Sequence, residues 1–233
     1  MEAEPVTEVT SSDVFVIIPA WNEQERIAAT VRAAAELGTV LVMDDGSRDA
    51  TARRARRAGA RVLTTRHNLG KGAAMAAGVK ALPEQARYVL FLDADLEASA
   101  ANAGPLVQAV RSGGCDMAVA LPPPQPGGGH GLVVGLAREG IRRLTGFEAE
   151  VPLSGQRCLT RRAAEAVPYA PRFGVEVGLT VDLLRAGYTV AEVPAELRHR
   201  VTGEDWRSQV HRARQYRDVL LALRSRSLPL RSP

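Results

Sequence analysis

The chain has 233 residues, 30 Lys and Arg against 26 Asp and Glu for a net charge of +4, 45% hydrophobic residues and 4% aromatic ones. This composition excludes disorder and collagen-like repeats, and a core of this size needs neither a disulfide nor a metal to hold it. Two cysteines, Cys115 and Cys158, are too few for a secreted disulfide framework and suit a reducing cytoplasm. Met1 to Asp13 is acidic and polar, unlike a signal peptide, and the later apolar runs fall far short of the roughly 20 residues a membrane-spanning helix needs. The charge is unevenly spread: Glu196 to Pro233 holds nine Arg against four acids, a tail of +5. Such a tail suits an anionic surface or ligand, or a solvated helix face. Of the 30 basic residues only Lys71 and Lys80 are lysines.

Short aliphatic runs alternate with Ala-rich segments of helical period, which predicts βα units and a mostly parallel sheet. The first strand is Val14 to Ile18, stopped by Pro19. A helix follows from about Gln24 to Leu37, with Asn22 as its N-cap and Ile27, Val31 and Ala34 on its apolar stripe. Thr39 to Met43 is a second strand, Asp44 to Ser47 a turn, Ala50 to Ala58 a basic helix and Arg61 to Thr65 a third strand. Asn68-Leu69-Gly70-Lys71-Gly72 opens a helix to about Leu82, and Tyr88 to Leu92 is a strand running into Asp93-Ala94-Asp95. Asn102 to Ser112 reads as a helix and Asp116 to Ala120 as a strand, before a Pro- and Gly-rich loop from Pro122 to Gly131. A helix from Leu132 to Leu144, an irregular Val151 to Arg157, a helix from about Val177 to Ala186 and a strand Thr189 to Val193 follow. The last element is an amphipathic helix, Glu204 to Leu223, with Trp206, Val210, Ala213, Tyr216, Leu220 and Leu223 as its apolar stripe and Arg207, Arg212, Arg214 and Arg217 elsewhere.

Acidic residues stand where strands end: Asp44 and Asp45 after the second, Asp93 and Asp95 after the fourth. In open α/β sheets ligands bind outside the carboxyl ends of strands, so the two acidic turns predict one polar pocket. Asp93-x-Asp95 has the oxygen chemistry to hold Mg²⁺ or Mn²⁺ and, through it, a diphosphate; a turn capped by aspartates is the other reading. Lys71, after Asn68-x-Gly70, can bring an ammonium near phosphate oxygens at a helix start, but the spacing is not that of a P-loop. His199 is a neutral-imidazole candidate for completing a metal site, or a surface residue.

Four motifs in order carry a resemblance: Val16-Ile17-Ile18-Pro19-Ala20-Trp21-Asn22-Glu23, Met43-Asp44-Asp45-Gly46-Ser47-Arg48-Asp49, Asn68-Leu69-Gly70-Lys71-Gly72 and Phe91-Leu92-Asp93-Ala94-Asp95. Together they resemble the family-2-type nucleotide-sugar glycosyltransferases of the GT-A fold, over residues 14 to about 120. The resemblance implies an α/β fold with a mostly parallel, Rossmann-like sheet flanked by helices, here with a C-terminal amphipathic helix. It implies a single domain over 1–233, with 14–120 as the nucleotide-sugar half, 132–203 as the acceptor half and 204–226 as the terminal helix. Pro19, Ala20, Asn22, Glu23, Asp44, Asp45, Lys71, Asp93 and Ala94 would line the donor, and Asp93 and Asp95 would hold the cation. Val151-Pro152-Leu153-Ser154-Gly155-Gln156-Arg157, Phe173-Gly174-Val175-Glu176-Val177-Gly178-Leu179 and His199-Arg200 are similar to bacterial glucosyl-3-phosphoglycerate synthases. In that family the residue matching His199 is a third metal ligand. Arg142, Leu144 and Thr145 resemble its phosphate-acceptor segment, and Leu153, Ser154, Gly155 and Arg157 would join Thr145 around the acceptor. Polyprenyl-phosphate sugar synthases share Ser-Gly-x-Arg and the donor motifs.

The expected activity is metal-dependent transfer of a hexose from a UDP- or GDP-sugar to a hydroxyl or phosphate acceptor, such as a small phosphorylated metabolite. Lys71, or an arginine such as Arg157 or Arg200, would stabilise charge growing on the β-phosphate beside the cation of Asp95, Asp93 and His199. An inverting route needs a general base, for which Glu176 is the candidate with Asp182 behind it; a retaining route would use the Leu153-Ser154 backbone and Glu176 to place donor and acceptor. A helix-start acid is the plain reading of Glu176. The terminal helix packs on the domain, makes a homodimer contact, or lays its Arg face on anionic lipid if the acceptor is a polyprenyl phosphate. Sugar nucleotidyl transfer is the alternative chemistry. Nucleic acid is not an expected partner, and the expected location is cytoplasmic, with peripheral contact at the inner membrane face left open.

Overall fold

Alternate residues of the first strand face opposite layers, and that alternation sets the architecture. The computed structural model describes residues 13–123, 131–198 and 206–227. In β1 (Val14–Ala20), Val14, Val16, Ile18 and Ala20 pack in a core with α1 (Ile27–Ala34) and α4 (Gly104–Arg111). Phe15 and Ile17 pack on the other face with α3 (Lys71–Lys80) and α7 (Val175–Arg185). A strand covered on both faces must be apolar at every position, which is why this run reads without polar breaks.

The sheet has seven strands in the order β3-β2-β1-β4-β6-β5-β7. These are β2 (Thr39–Asp44), β3 (Arg61–Thr64), β4 (Tyr88–Phe91), β5 (Met117–Leu121), β6 (Arg157–Thr160) and β7 (Val190–Pro194), joined by α2 (Thr51–Arg57), α5 (Leu132–Thr145), α6 (Arg161–Ala166) and α8 (Trp206–Ser227). β1, β2, β3 and β4 run parallel, as do β5 and β7, while β6 is antiparallel to both β4 and β5. The chain steps outward from β1 to β3 and returns on the other side of β1 as β4. That reversal opens a crevice between the carboxyl ends of β1 and β4, the place where open α/β sheets bind ligands.

Three sequence expectations need correction. Asn22 does not cap α1: its backbone is left-handed (φ 57°), its Oδ1 accepts from Arg48 N, and the helix begins only at Ile27 with no side-chain cap. The segment expected to be irregular from Val151 to Arg157 delivers its last residue into β6, a strand too short to show a period. In α8, Ala213 and Tyr216 are exposed, and the buried stripe is Val219, Ala222 and Leu223 with Asp218. Val219 and Leu223, the latter on the expected stripe, join Ala137 and Ile141 of α5 and Val177 and Val181 of α7 in a third core. Arg226 Nε donates to Asp182 Oδ1 at 2.8 Å, tying α8 to α7 and withdrawing Asp182 from any place behind Glu176. Among the described residues no helix is long and apolar enough to cross a membrane.

Candidate active site

β4 ends at Phe91, and Leu92 N still donates to Ile17 O, so Asp93 is the first residue clear of the sheet at the crevice. The turn that follows is pinned from α1: Thr30 Oγ1, fully buried, donates to Ala94 O at 2.9 Å and accepts from Glu97 N at 2.9 Å. A polar residue inside the apolar stripe of α1 was the only sequence signal for Thr30. Ala94 is buried, whereas Asp93 and Asp95 are half-buried at the rim.

Lys71 opens α3 and reaches across the crevice, placing Nζ 2.6 Å from Asp93 Oδ1 and 2.8 Å from Glu176 Oε1. The Lys71 and Glu176 side chains are only 19% and 7% exposed, so this is a desolvated cluster. Burial alone pulls the ammonium down, but Asp93 and Glu176 outweigh it and hold Lys71 above its ordinary value of 10.5. Asp93 Oδ2 accepts from Gln156 Nε2 at 2.7 Å, with Gln156 itself buried. Gln156 is the one position of Ser154-Gly155-Gln156-Arg157 without a role in the sequence reading. Its neighbour Gly155 lies so close that a Cβ there would sit 2.5 Å from Lys71 Nζ and 2.7 Å from Asp93 Oδ2, so a larger residue would have to displace the paired ends of Lys71 and Asp93. Leu153 and Ser154, half-buried, carry the chain up to this point.

The first-half motifs form the crevice wall. Pro19 and Ala20 end β1, and the loop after them is cross-tied to the next turn: Asn22 N donates to Ser47 Oγ (2.9 Å) and Glu23 N to Thr51 Oγ1 (2.8 Å). Asp44 is buried at the end of β2 and accepts from Ser47 N. Asp45 accepts from Leu69 N at 2.8 Å on one oxygen and Gly70 N at 2.7 Å on the other, so its carboxylate clamps the loop that presents Lys71.

Several expected site residues are placed elsewhere or spent. Arg157 is 1% exposed and donates to Ser154 O, Glu176 O, Thr180 Oγ1 and Pro152 O, so it is a buried strut and not an acceptor ligand. Burial pulls its guanidinium down to about 10, against the pull of Glu176. Thr145 Oγ1 donates to Ile141 O and accepts from Phe147 N, closing the end of α5, while Arg142 is exposed and paired with Glu139. His199 and Arg200 lie outside the described residues, and among those described no group of three His, Cys, Asp or Glu could hold a metal. The fit to a divalent cation therefore rests on Asp95 and Asp93, whose carboxylates are hard oxygen donors half-buried at the rim of the crevice.

The profile of glycosyl transferase family 2 matches residues 15–150. This chain belongs to that family. Glucosyl-3-phosphoglycerate synthase of Mycolicibacterium paratuberculosis is 31% identical over 200 residues, covering 72% of this chain and 59% of the relative. Glycosyltransferase AglJ of Haloferax volcanii is 30% identical over 211 residues, covering 84% and 66%. The chain thus spans less than two thirds of the length of these curated family members. Among solved structures, Mycobacterium tuberculosis glucosyl-3-phosphoglycerate synthase with Mn²⁺, UDP and glucosyl-3-phosphoglycerate superposes with a TM-score of 0.78 at 27% identity, over 94% of this chain and 81% of that one. The same enzyme with Mg²⁺ and UDP gives 0.78 at 27% identity, over 94% and 80%. The chain has the GT-A-type fold of these structures, and it carries a C-terminal helix, α8.

Proposed function

We propose that this family member moves a hexose from a nucleoside-diphosphate sugar to a small phosphorylated acceptor, with the donor in the crevice between β1 and β4. The observation that carries the reading is the Lys71–Asp93–Glu176 cluster, with Glu176 buried and Lys71 and Asp93 half-buried, beside Asp95 at that crevice. The solved complexes of a relative with UDP and Mn²⁺ or Mg²⁺, one of them also with glucosyl-3-phosphoglycerate, support the donor, cation and acceptor classes. In this reading residues 14–120 serve the donor and 132–203 the acceptor.

The difficult event is departure of a nucleoside diphosphate while positive charge grows at the anomeric carbon. Asp95, with Asp93 beside it and His199, would hold Mg²⁺ or Mn²⁺, which when bound screens the charge gathering on the leaving diphosphate. Asp44 and the Pro19–Glu23 loop take the nucleoside. Lys71 presents a fixed ammonium at the same rim; because Asp93 and Glu176 orient it beforehand, little reorganisation is needed as charge develops. Glu176, held by Lys71 at the start of α7, is the carboxylate placed to meet the acceptor side. The Leu153–Gly155 backbone, fixed by Arg157, supplies the wall on which donor and acceptor meet.

The test is transfer from UDP-glucose and GDP-glucose to 3-phosphoglycerate with Mn²⁺, read as release of nucleoside diphosphate. Asp95→Ala should remove most turnover, by about 100-fold or more. Near-normal rates in that variant at saturating donor would sink the reading.

A further inference from the structure

Arg172 has a backbone that glycine would favour and, among the described residues, a side chain with no hydrogen-bond or ion-pair partner. Its φ is 52°, one of three left-handed non-glycine residues described, and it sits exposed in the short turn Arg172–Gly174 that leads into α7. Its stem lies on Gly70: a Cβ built at Gly70 would be 2.8 Å from Arg172 Cγ and 3.3 Å from its Cα, and Gly70 itself has φ 92°. Gly70 immediately precedes Lys71, and Arg172 is four residues before Glu176, so both flanks of Arg172 end in the side chains that meet at Lys71 Nζ. Other cations are engaged: Lys71 by two carboxylates, Arg142 and Arg143 by Glu139, and Arg157 and Arg138 by backbone carbonyls. Among the described residues no carboxylate or hydrogen-bond acceptor takes the Arg172 guanidinium. A strained residue persists where its surroundings over-determine it, and such residues gather at ligand clamps.

We propose that Arg172 is a specificity-determining residue that reads an oxyanion, phosphate or carboxylate, of a substrate at the rim of the Lys71–Glu176 cluster. The proposal rests on the functional reading above, and it deepens that reading by assigning an anionic group to the rim formed by Gly70 and the 170–174 turn. The oxyanion can belong to the donor diphosphate or to the acceptor, and a planar, permanently charged fork suits either.

Titration calorimetry on the whole chain, with UDP plus Mn²⁺ in one arm and 3-phosphoglycerate in the other, separates the two sources. Arg172→Gly should keep or raise the thermal midpoint, because glycine relieves the left-handed backbone, yet bind in one arm about 10- to 100-fold more weakly. Weakening confined to the UDP arm assigns the donor, and weakening confined to the 3-phosphoglycerate arm assigns the acceptor. Arg172→Lys, which keeps the charge without the fork, should lie between. Unchanged binding in both arms overturns the proposal, and so does a fall in midpoint with equal loss in both arms, which would make Arg172 a packing residue. Arg172-dependent binding without sugar transfer by the wild type would leave this inference standing and overturn the functional reading alone.

Discussion

At the scale of the residue, Lys71 is the point on which the site turns. An ammonium held between two carboxylates cannot be removed quietly, because what remains is the buried carboxylate of Glu176 facing the half-buried one of Asp93. Lys71→Met should therefore lower stability by about 3–5 kcal/mol in urea unfolding, beyond what the lost stem would cost. Glu176→Gln keeps the volume and leaves the Lys71–Asp93 pair intact, so it should cost far less stability while lowering turnover by about 100-fold or more. The pH behaviour follows from the direction of the shift. The folded-state value of Lys71 lies above the unfolded 10.5, so the stabilisation it brings is complete below about 10.5 and is lost only as pH rises through the folded value. A pH–rate profile from about pH 6 to about pH 9 should consequently show no limb from this lysine. A limb near neutrality that disappears in Lys71→Met would mean the ammonium is not held as its neighbours require.

At the scale of the element, β6 shows both how far the sequence could be read and where it stopped. Ser154-Gly155-Gln156-Arg157 was legible as a motif, and Gly155 does meet the Lys71–Asp93 pair. Arg157, however, begins a four-residue strand, and a run that short carries no period to say whether its side chain enters the cleft or the core. It enters the core, where one guanidinium closes carbonyls of the 152–154 loop and of α7. α8 misled in part for a related reason: its apolar residues permit more than one stripe, and the packing partners α5 and α7 take Val219 together with the expected Leu223, while Ala213 and Tyr216 stay exposed. Arg157→Lys should be a damaging exchange although it keeps the charge, since three donors on a flexible stem cannot span four fixed oxygens. About 3 kcal/mol or more of lost stability is expected in urea unfolding, together with faster hydrogen exchange over residues 151–156. A variant with wild-type exchange there would show that the loop holds itself.

At the scale of the whole molecule, the site joins residues far apart in sequence through a single sheet. Lys71 and Asp93 come from the parallel half, Gln156 from the loop leading into the strand that reverses direction, and Glu176 from the start of α7. The motifs of the first half were legible because each is local: a strand end, a turn and a helix start within a few residues. Gln156, Thr30 and Arg172 were not, because their importance arises only when β6, α1 and the turn before α7 are brought to the same rim. A cleft assembled this way couples ligand binding to the stability of the entire sheet, since every contributor must be in place at once. A nucleoside diphosphate with Mn²⁺ at about 100 times its dissociation constant should stabilise the fold by about 2.7 kcal/mol, or about 5–10 °C in thermal midpoint for a chain of this size. Chelating the metal should remove most of that shift, and Asp95→Ala should abolish its metal-dependent part while leaving the midpoint of the unliganded protein within a few degrees of wild type. A shift of the same size with and without metal would place the diphosphate away from Asp95 and separate the nucleotide site from the acidic rim.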